Sequence, residues 1–145
     1  MPSIPIIPAL PFWLHFFVEL PPSVVFLVKP DAQLAAPQPH ARPLIRQYAA
    51  LLFSMNLTAL IFAWREVDET SQLVAGAMAI YHIAPIIRAL HRFRHGENTM
   101  LRSQRRSRAL GGPGLHLLVH SICLLSLAHL CWSERWSATL EASYR

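Results

Sequence analysis

The chain has 145 residues, 53% of them apolar and only 14% charged, with a positive mean hydropathy, a formal net charge of +5 and a pI near 10. So apolar a composition over so short a chain leaves room for one integral membrane domain and little else. The basic balance does not point to a nucleic-acid partner, because the basic residues fall where membrane topology places them and form no face of a soluble domain.

A helix needs about 20 apolar residues to cross the hydrocarbon core, and residues 9–29 supply the first such stretch. Within it stand His15 and Glu19, four residues apart and so on one helix face, followed by Pro21 and Pro22. The segment lacks a basic leader region and carries prolines at 2, 5, 8 and 11, so it reads as mature protein and not as a secretory signal. The Pro-rich run from Pro30 to Pro43 is a connecting loop. A second span covers 44–64, with Asn56 in its interior and Tyr48 and Trp64 placed as interfacial anchors, like Trp13 and Trp132 elsewhere. The sequon at Asn56 is a chance match, since a glycan cannot be attached in mid-span. A third span, 72–91, carries Tyr81, His82, Pro85 and Arg88, and the fourth, 114–132, carries His116, His120 and His129. Cys123 and Cys131 lie eight residues apart on that fourth span, too far along one helix to bridge.

Four spans put the loop after the first and the loop after the third on one side. Those regions hold Lys29, Arg42, Arg46, Arg92, Arg94, Arg102, Arg105, Arg106 and Arg108, nine of the thirteen basic residues, against Arg65, Arg135 and Arg145 opposite. The positive-inside tendency therefore predicts cytoplasmic basic loops, and adding or removing a span would scatter them. The run from Arg102 to Arg108 reads as an orientation signal in a solvated loop. The fold class expected is all-α, a four-helix transmembrane bundle forming a single domain over 1–145, in an internal membrane such as the endoplasmic reticulum. Membrane lipid is its surroundings, and self-association is compatible with the sequence.

Depth then sorts the polar residues. At about 1.5 Å per residue, His15 lies roughly 9 Å and Glu19 roughly 15 Å into the first span, and Asn56 roughly 18 Å into the second. Tyr81 and His82 reach the middle of the third, while Arg88 and His120 lie on the cytoplasmic side of that level. An ionisable group at such depth costs about 2.5 to 3.5 kcal/mol on insertion scales, which makes it a functional hypothesis by default. Pro21, Pro22 and Pro85 also free the carbonyls of Phe17, Val18 and Tyr81 from their helix bonds, and freed carbonyls at this depth call for polar partners. Taken singly, His82 and Asn56 are explicable as interhelical glue of about 0.6 kcal/mol, Glu19 as a helix-locking pair with His15 or Arg88, and Arg88 as a snorkelling headgroup contact.

Together they form equipment for acid and base catalysis. An ionised Glu19 can deprotonate a hydroxyl or water, or attack directly, with His15 tuning it. His82, His120, Arg88 or the Tyr81 phenol can donate to an oxygen that develops charge, and Asn56 can orient water or substrate. Epoxide opening and allylic isomerisation on a lipophilic small molecule need this push and pull and no external cofactor. Metal chemistry competes through the i, i+4 pairs His15 with Glu19 and His116 with His120, and through the HxxxH patterns at His91 with His95 and His116 with His120. A proton-coupled carrier and a non-catalytic scaffold or lipid-binding protein are the further alternatives.

Two segments, HFFVELPPS at 15–23 and YHIAPIIRAL at 81–90, together with chain length, resemble small four-span membrane proteins of fungal polyketide and terpenoid gene clusters. These are the epoxide hydrolase or cyclase proteins associated with pyrone polyenes such as aurovertin and citreoviridin. The resemblance covers a small share of the chain and implies a class of activity without assigning residue roles. A more distant similarity joins the chain to sterol isomerases of the emopamil-binding type, which hold a His and Glu pocket inside a helical bundle.

Overall fold

The computed structural model describes residues 9–34, 38–94 and 112–143, with the side chains of 32, 33 and 134–143 left aside. The basic run Arg102–Arg108 and His95 lie outside the described residues. Within them the chain forms four helices and no strand: α1 (Leu10–Val28), α2 (Arg42–Ala63), α3 (Glu69–Arg94) and α4 (Gly112–Ser143). All four are long and apolar enough to cross a membrane, the apolar part of α4 being Gly112–Ser133. The all-α four-helix transmembrane bundle expected from the sequence is what the chain forms. The fourth helix outruns its expected span by about three turns, since residues 134–143 contain neither glycine nor proline to stop it.

The boundaries follow from local chemistry. Pro11 sits in the first turn of α1, where its missing N–H is no loss, and Lys29 ends the helix because Pro30 disfavours helical backbone in the residue before it. Two short 3₁₀ turns, Pro30–Gln33 and Pro39–Ala41, occupy the connection to α2, and Arg42 clasps Asp31 through two contacts, Nη2 to Oδ2 at 2.7 Å and Nε to Oδ1 at 3.0 Å. Pro21, Pro22 and Pro85 are accommodated inside continuous helices. At α4, Gly112 takes φ +74°, a backbone that side-chain-bearing residues avoid, immediately before Pro113.

Asp68 caps α3: its Oδ1 accepts from the Ser71 backbone N–H at 2.8 Å and from the Ser71 hydroxyl at 2.7 Å, while Oδ2 meets Arg65 at 3.1 Å. The Ser71 hydroxyl and backbone N–H, helped by nearby Arg65, hold the Asp68 carboxyl below its usual range. Because the folded value is the depressed one, the cap's stabilisation is complete above the unfolded value of about 3.9 and fades as pH falls through the folded one. Asp68→Ala is therefore expected to lower the melting temperature of the detergent-solubilised protein at pH 7 and to shrink the further drop on acidification below about pH 4, as read by tryptophan fluorescence.

Each helix buries a narrow stripe and turns its large apolar side chains outward. The stripe of α1 is Phe12, His15, Glu19, Ser23 and Phe26, and that of α2 is Ala49, Leu52, Asn56, Ala59 and Ala63, at steps of three or four. His120, Cys123, Leu127 and Leu130 continue the pattern on α4. Outward lie Phe17, Leu51, Ile61, Ile80, Ile87, Leu118 and Leu125, all exposed, as a lipid-facing surface requires. The bundle is built from two helical hairpins: α1 packs chiefly on α2 and α3 on α4, with α1 also touching α4.

The interior is divided along its length. Phe12, Ala59, Ala63, Ala75, Met78, Ala79, Leu127 and Leu130 form a dry cluster at the end of the bundle opposite the basic connections. The alanines there allow close helix approach, as small residues do in membranes. Gly76 takes this furthest, since a Cβ placed on it would lie 2.8 Å from Cys131 Sγ of α4. Gly76→Val is expected to destabilise the bundle in thermal unfolding by about 1–3 kcal/mol, and Cys131→Ala, by removing the obstructing sulfur, should rescue Gly76→Ala specifically. Cys123 and Cys131 are both free thiols, in line with the sequence reading. The polar side chains begin where this apolar cluster ends.

Candidate functional site

Glu19, the tenth residue of α1, is 2% exposed and places its carboxylate among groups from α3 and α4. Its Oε1 lies 3.2 Å from His120 Nδ1 and 3.8 Å from His82 Nδ1. The two Nδ1 atoms are themselves 3.0 Å apart. Its Oε2 accepts from the Tyr81 hydroxyl at 3.3 Å, and that hydroxyl is 3.0 Å from the hydroxyl of Tyr48 on α2. Behind His82, its Nε2 meets His15 Nδ1 at 3.0 Å. One carboxylate, three imidazoles and two phenols thus form a connected chain contributed by all four helices.

The carboxylate and imidazoles of this chain are buried, His15 and His82 at 0% exposure and His120 at 6%, while Tyr81 is half-buried and Tyr48 lies exposed at its edge. Helix periodicity explains the convergence. His15 and Glu19 share the buried stripe of α1, His82 continues the stripe of Ala75, Met78 and Ala79 on α3, and His120 stands one turn from Cys123 on α4. Tyr81, next to His82, approaches from the flank, with its ring 6.0 Å from that of His15. His116, one turn before His120, stacks on it at 5.5 Å with the rings 19° apart.

Among the described residues, three buried polar atoms have no hydrogen-bond partner: Glu19 Oε1, His15 Nε2 and Asn56 Oδ1. For Glu19 Oε1 this sits beside a 3.2 Å separation from His120 Nδ1. The two observations agree if the nitrogen is near but off the hydrogen-bond line, so the contact is electrostatic. An unpaired polar atom in so apolar a setting is costly, which makes these atoms natural points for a ligand or water to occupy.

Among the residues singled out in the sequence, Glu19, His15, His82, His120 and Tyr81 come together. Asn56 is buried at 0% exposure but bonds elsewhere, its Nδ2 donating to Ser23 Oγ at 3.4 Å while Ser23 donates to the Leu20 carbonyl at 2.7 Å. It ties α2 to α1 one turn beyond Glu19. Arg88 lies on the exposed face of α3, outside the group surrounding Glu19. It shares the direction of Tyr81, seven residues earlier, but lies about 10 Å further along the helix, past the level of Glu19. His15 reaches Glu19 through His82 and not as a direct partner. His129 is exposed and faces away, as expected.

Sequence reasoning missed Ser23 and Tyr48. Ser23 carried a readable signal, being four residues from Glu19 on the same stripe. Tyr48 did not, because an aromatic near a span end reads first as an interfacial anchor. The i, i+4 pairs considered for a metal are not what assembles. The three groups whose donor atoms lie within 4.8 Å of one another are Glu19, His82 and His120, each from a different helix.

No protein-family model matches the chain, and comparison with curated proteins and with solved structures finds no significant match to either.

Proposed function

We propose that the protein is a membrane-embedded acid and base catalyst acting on a lipophilic small molecule of secondary metabolism, a polyketide or terpenoid, and that its reaction is the opening or cyclisation of an epoxide. The observation that carries this reading is the placement of one buried carboxylate against two imidazoles on one oxygen and a phenol on the other. Nothing in such a site is needed merely to hold four apolar helices together. The resemblance at 15–23 and 81–90 supports the same class, since both segments contribute to the cluster.

In this mechanism Glu19 is the base or nucleophile. It takes a proton from water or from a substrate hydroxyl, or its oxygen forms a bond to an epoxide carbon, giving an ester that water then hydrolyses to release the diol and restore the carboxylate. As the ring C–O bond breaks, its electron pair goes to the epoxide oxygen, which receives a proton from Tyr81 or from protonated His120 or His82. A hydroxyl of the substrate as nucleophile gives a cyclic ether, and water gives a diol. The proton that Glu19 takes passes back to whichever of Tyr81, His120 or His82 gave one up, all of which its carboxylate faces directly. The apolar wall around the cluster excludes bulk water, which strengthens each of these charge interactions.

The reading includes an endoplasmic reticulum location with the basic connections facing the cytoplasm, supported by the bias of lysine and arginine to that end. Its test is turnover of a polyene epoxide by microsomes that express the chain, with Glu19→Gln as the disabling variant. If the polar residues serve only as a scaffold or lipid-binding element, Glu19→Gln changes stability or association and leaves the metabolites of the producing cell as they were.

A further inference from the structure

We propose that Glu19 Oε1, His82 Nδ1 and His120 Nδ1 form a binding site for a divalent first-row transition-metal ion, of the zinc or iron(II) kind. This goes beyond the acid and base reading, in which Glu19 works as a free carboxylate. In the metal-loaded protein Glu19 is a ligand instead.

The separations carry the argument first. The three donor atoms stand 3.0, 3.2 and 3.8 Å apart. Donors held 2.0–2.2 Å from one ion are about 3.3–3.5 Å apart in a tetrahedral arrangement and about 2.8–3.1 Å apart at right angles. The 3.0 Å edge lies in the right-angle range and the 3.2 Å edge falls between the two, while the long edge, His82 to Glu19, is the one an ion would draw in. Two histidines and one carboxylate are the ligand set of open zinc sites and of iron(II) sites with free positions.

The donor chemistry points the same way. Two imidazole nitrogens facing each other at 3.0 Å can share at most one proton. The carboxylate oxygen beside them is buried and without a hydrogen bond. Three potential donor atoms within 4.8 Å of one another, with at most one proton between the two nitrogens, are what a cation relieves.

The outer partners are also in place. With His82 in the tautomer protonated at Nε2, that N–H donates to His15 Nδ1 at 3.0 Å and leaves the Nδ1 lone pair free for the ion. The second oxygen of Glu19 accepts from Tyr81, whose hydroxyl is within hydrogen-bond distance of Tyr48, which fixes the carboxylate's orientation. His15 and Tyr81 are in this view positioning residues. One carboxylate and two neutral imidazoles would leave a divalent ion with a single net positive charge. In this apolar interior a bound hydroxide or an anionic substrate oxygen would cancel it.

The test is a titration of the full chain, purified in detergent and stripped with a chelator, with Co²⁺ as the spectroscopic probe. One equivalent of Co²⁺ is expected to give the intense visible bands of a low-coordinate ion and to be displaced by Zn²⁺, and Zn²⁺ should raise the melting temperature. His120→Gln is expected to weaken Co²⁺ binding by about 100-fold or more, and His15→Phe by about 10- to 100-fold through the lost outer contact. His129→Gln, on the exposed face of the same helix, should leave it unchanged. Wild-type protein that is monodisperse and gives no cobalt bands overturns the proposal, whether or not any variant folds. So do bands undiminished in His120→Gln. The two readings separate cleanly: epoxide turnover that survives exhaustive chelation sinks the metal site alone, whereas stoichiometric metal in a protein that opens no epoxide sinks the acid and base function alone.

Discussion

Glu19→Gln is expected to lower epoxide turnover in microsomes by about 10²- to 10⁴-fold, the range that a positioned acid or base supplies, while the protein is still made and inserted. The amide is nearly the size and shape of the carboxylate, so the packing of α1 against α3 and α4 is kept. It can still accept from Tyr81 through its carbonyl oxygen. It cannot take a proton, attack carbon, or offset a protonated imidazole at 3.2 Å. Loss of product with normal abundance and a normal melting curve is the signature of a chemical role. Unchanged product formation would remove Glu19 from the mechanism, and loss of the protein itself would instead support the structural role of the cluster.

The largest expected effect on stability comes from Phe12→Ala. Phe12 is 0% exposed, sits in the apolar cluster with Ala59, Ala63, Met78 and Leu127, and its ring lies 5.6 Å from that of Phe62. Because lipid is as apolar as the bundle interior, helix association here rests on close packing, and a void is not compensated by any gain of hydration elsewhere. Truncation of a buried phenylalanine costs about 3–5 kcal/mol in tightly packed cores. The melting temperature in detergent should fall accordingly, with the polar cluster around Glu19 less affected in any molecules that remain folded. A Phe12→Ala protein as stable as the wild type would mean that this cluster is not what holds the hairpins together.

Much of this architecture was legible from residues alone, because the membrane allows so few solutions. The spans were readable as apolar lengths, and the pairing of His15 with Glu19 on one face follows from a four-residue step. Depth estimates brought Glu19, Tyr81 and His82 to one level. What depth cannot supply is azimuth, meaning which way round the helix a residue points relative to its neighbours. Arg88 shows that direction is not enough either: it shares Tyr81's side of α3 but lies about 10 Å along the helix from it, with its side chain exposed. Asn56 shows the same limit within a buried stripe, since it points inward yet bonds Ser23 and not the cluster. The metal triangle was hidden for a related reason. Motif spacing finds ligands that share a helix, whereas Glu19, His82 and His120 come from three helices separated by long connections.

The split of the bundle into an α1–α2 and an α3–α4 hairpin bears on how the protein is made. The first hairpin carries Glu19 and His15, and the second carries Tyr81, His82 and His120. During synthesis the leading half enters the bilayer with its carboxylate unmatched, and relief arrives only when the trailing half is delivered beside it. A gene cut between codons 63 and 69 should therefore yield two polypeptides that are each inert and short-lived when expressed singly, and that restore one another when produced in the same cell.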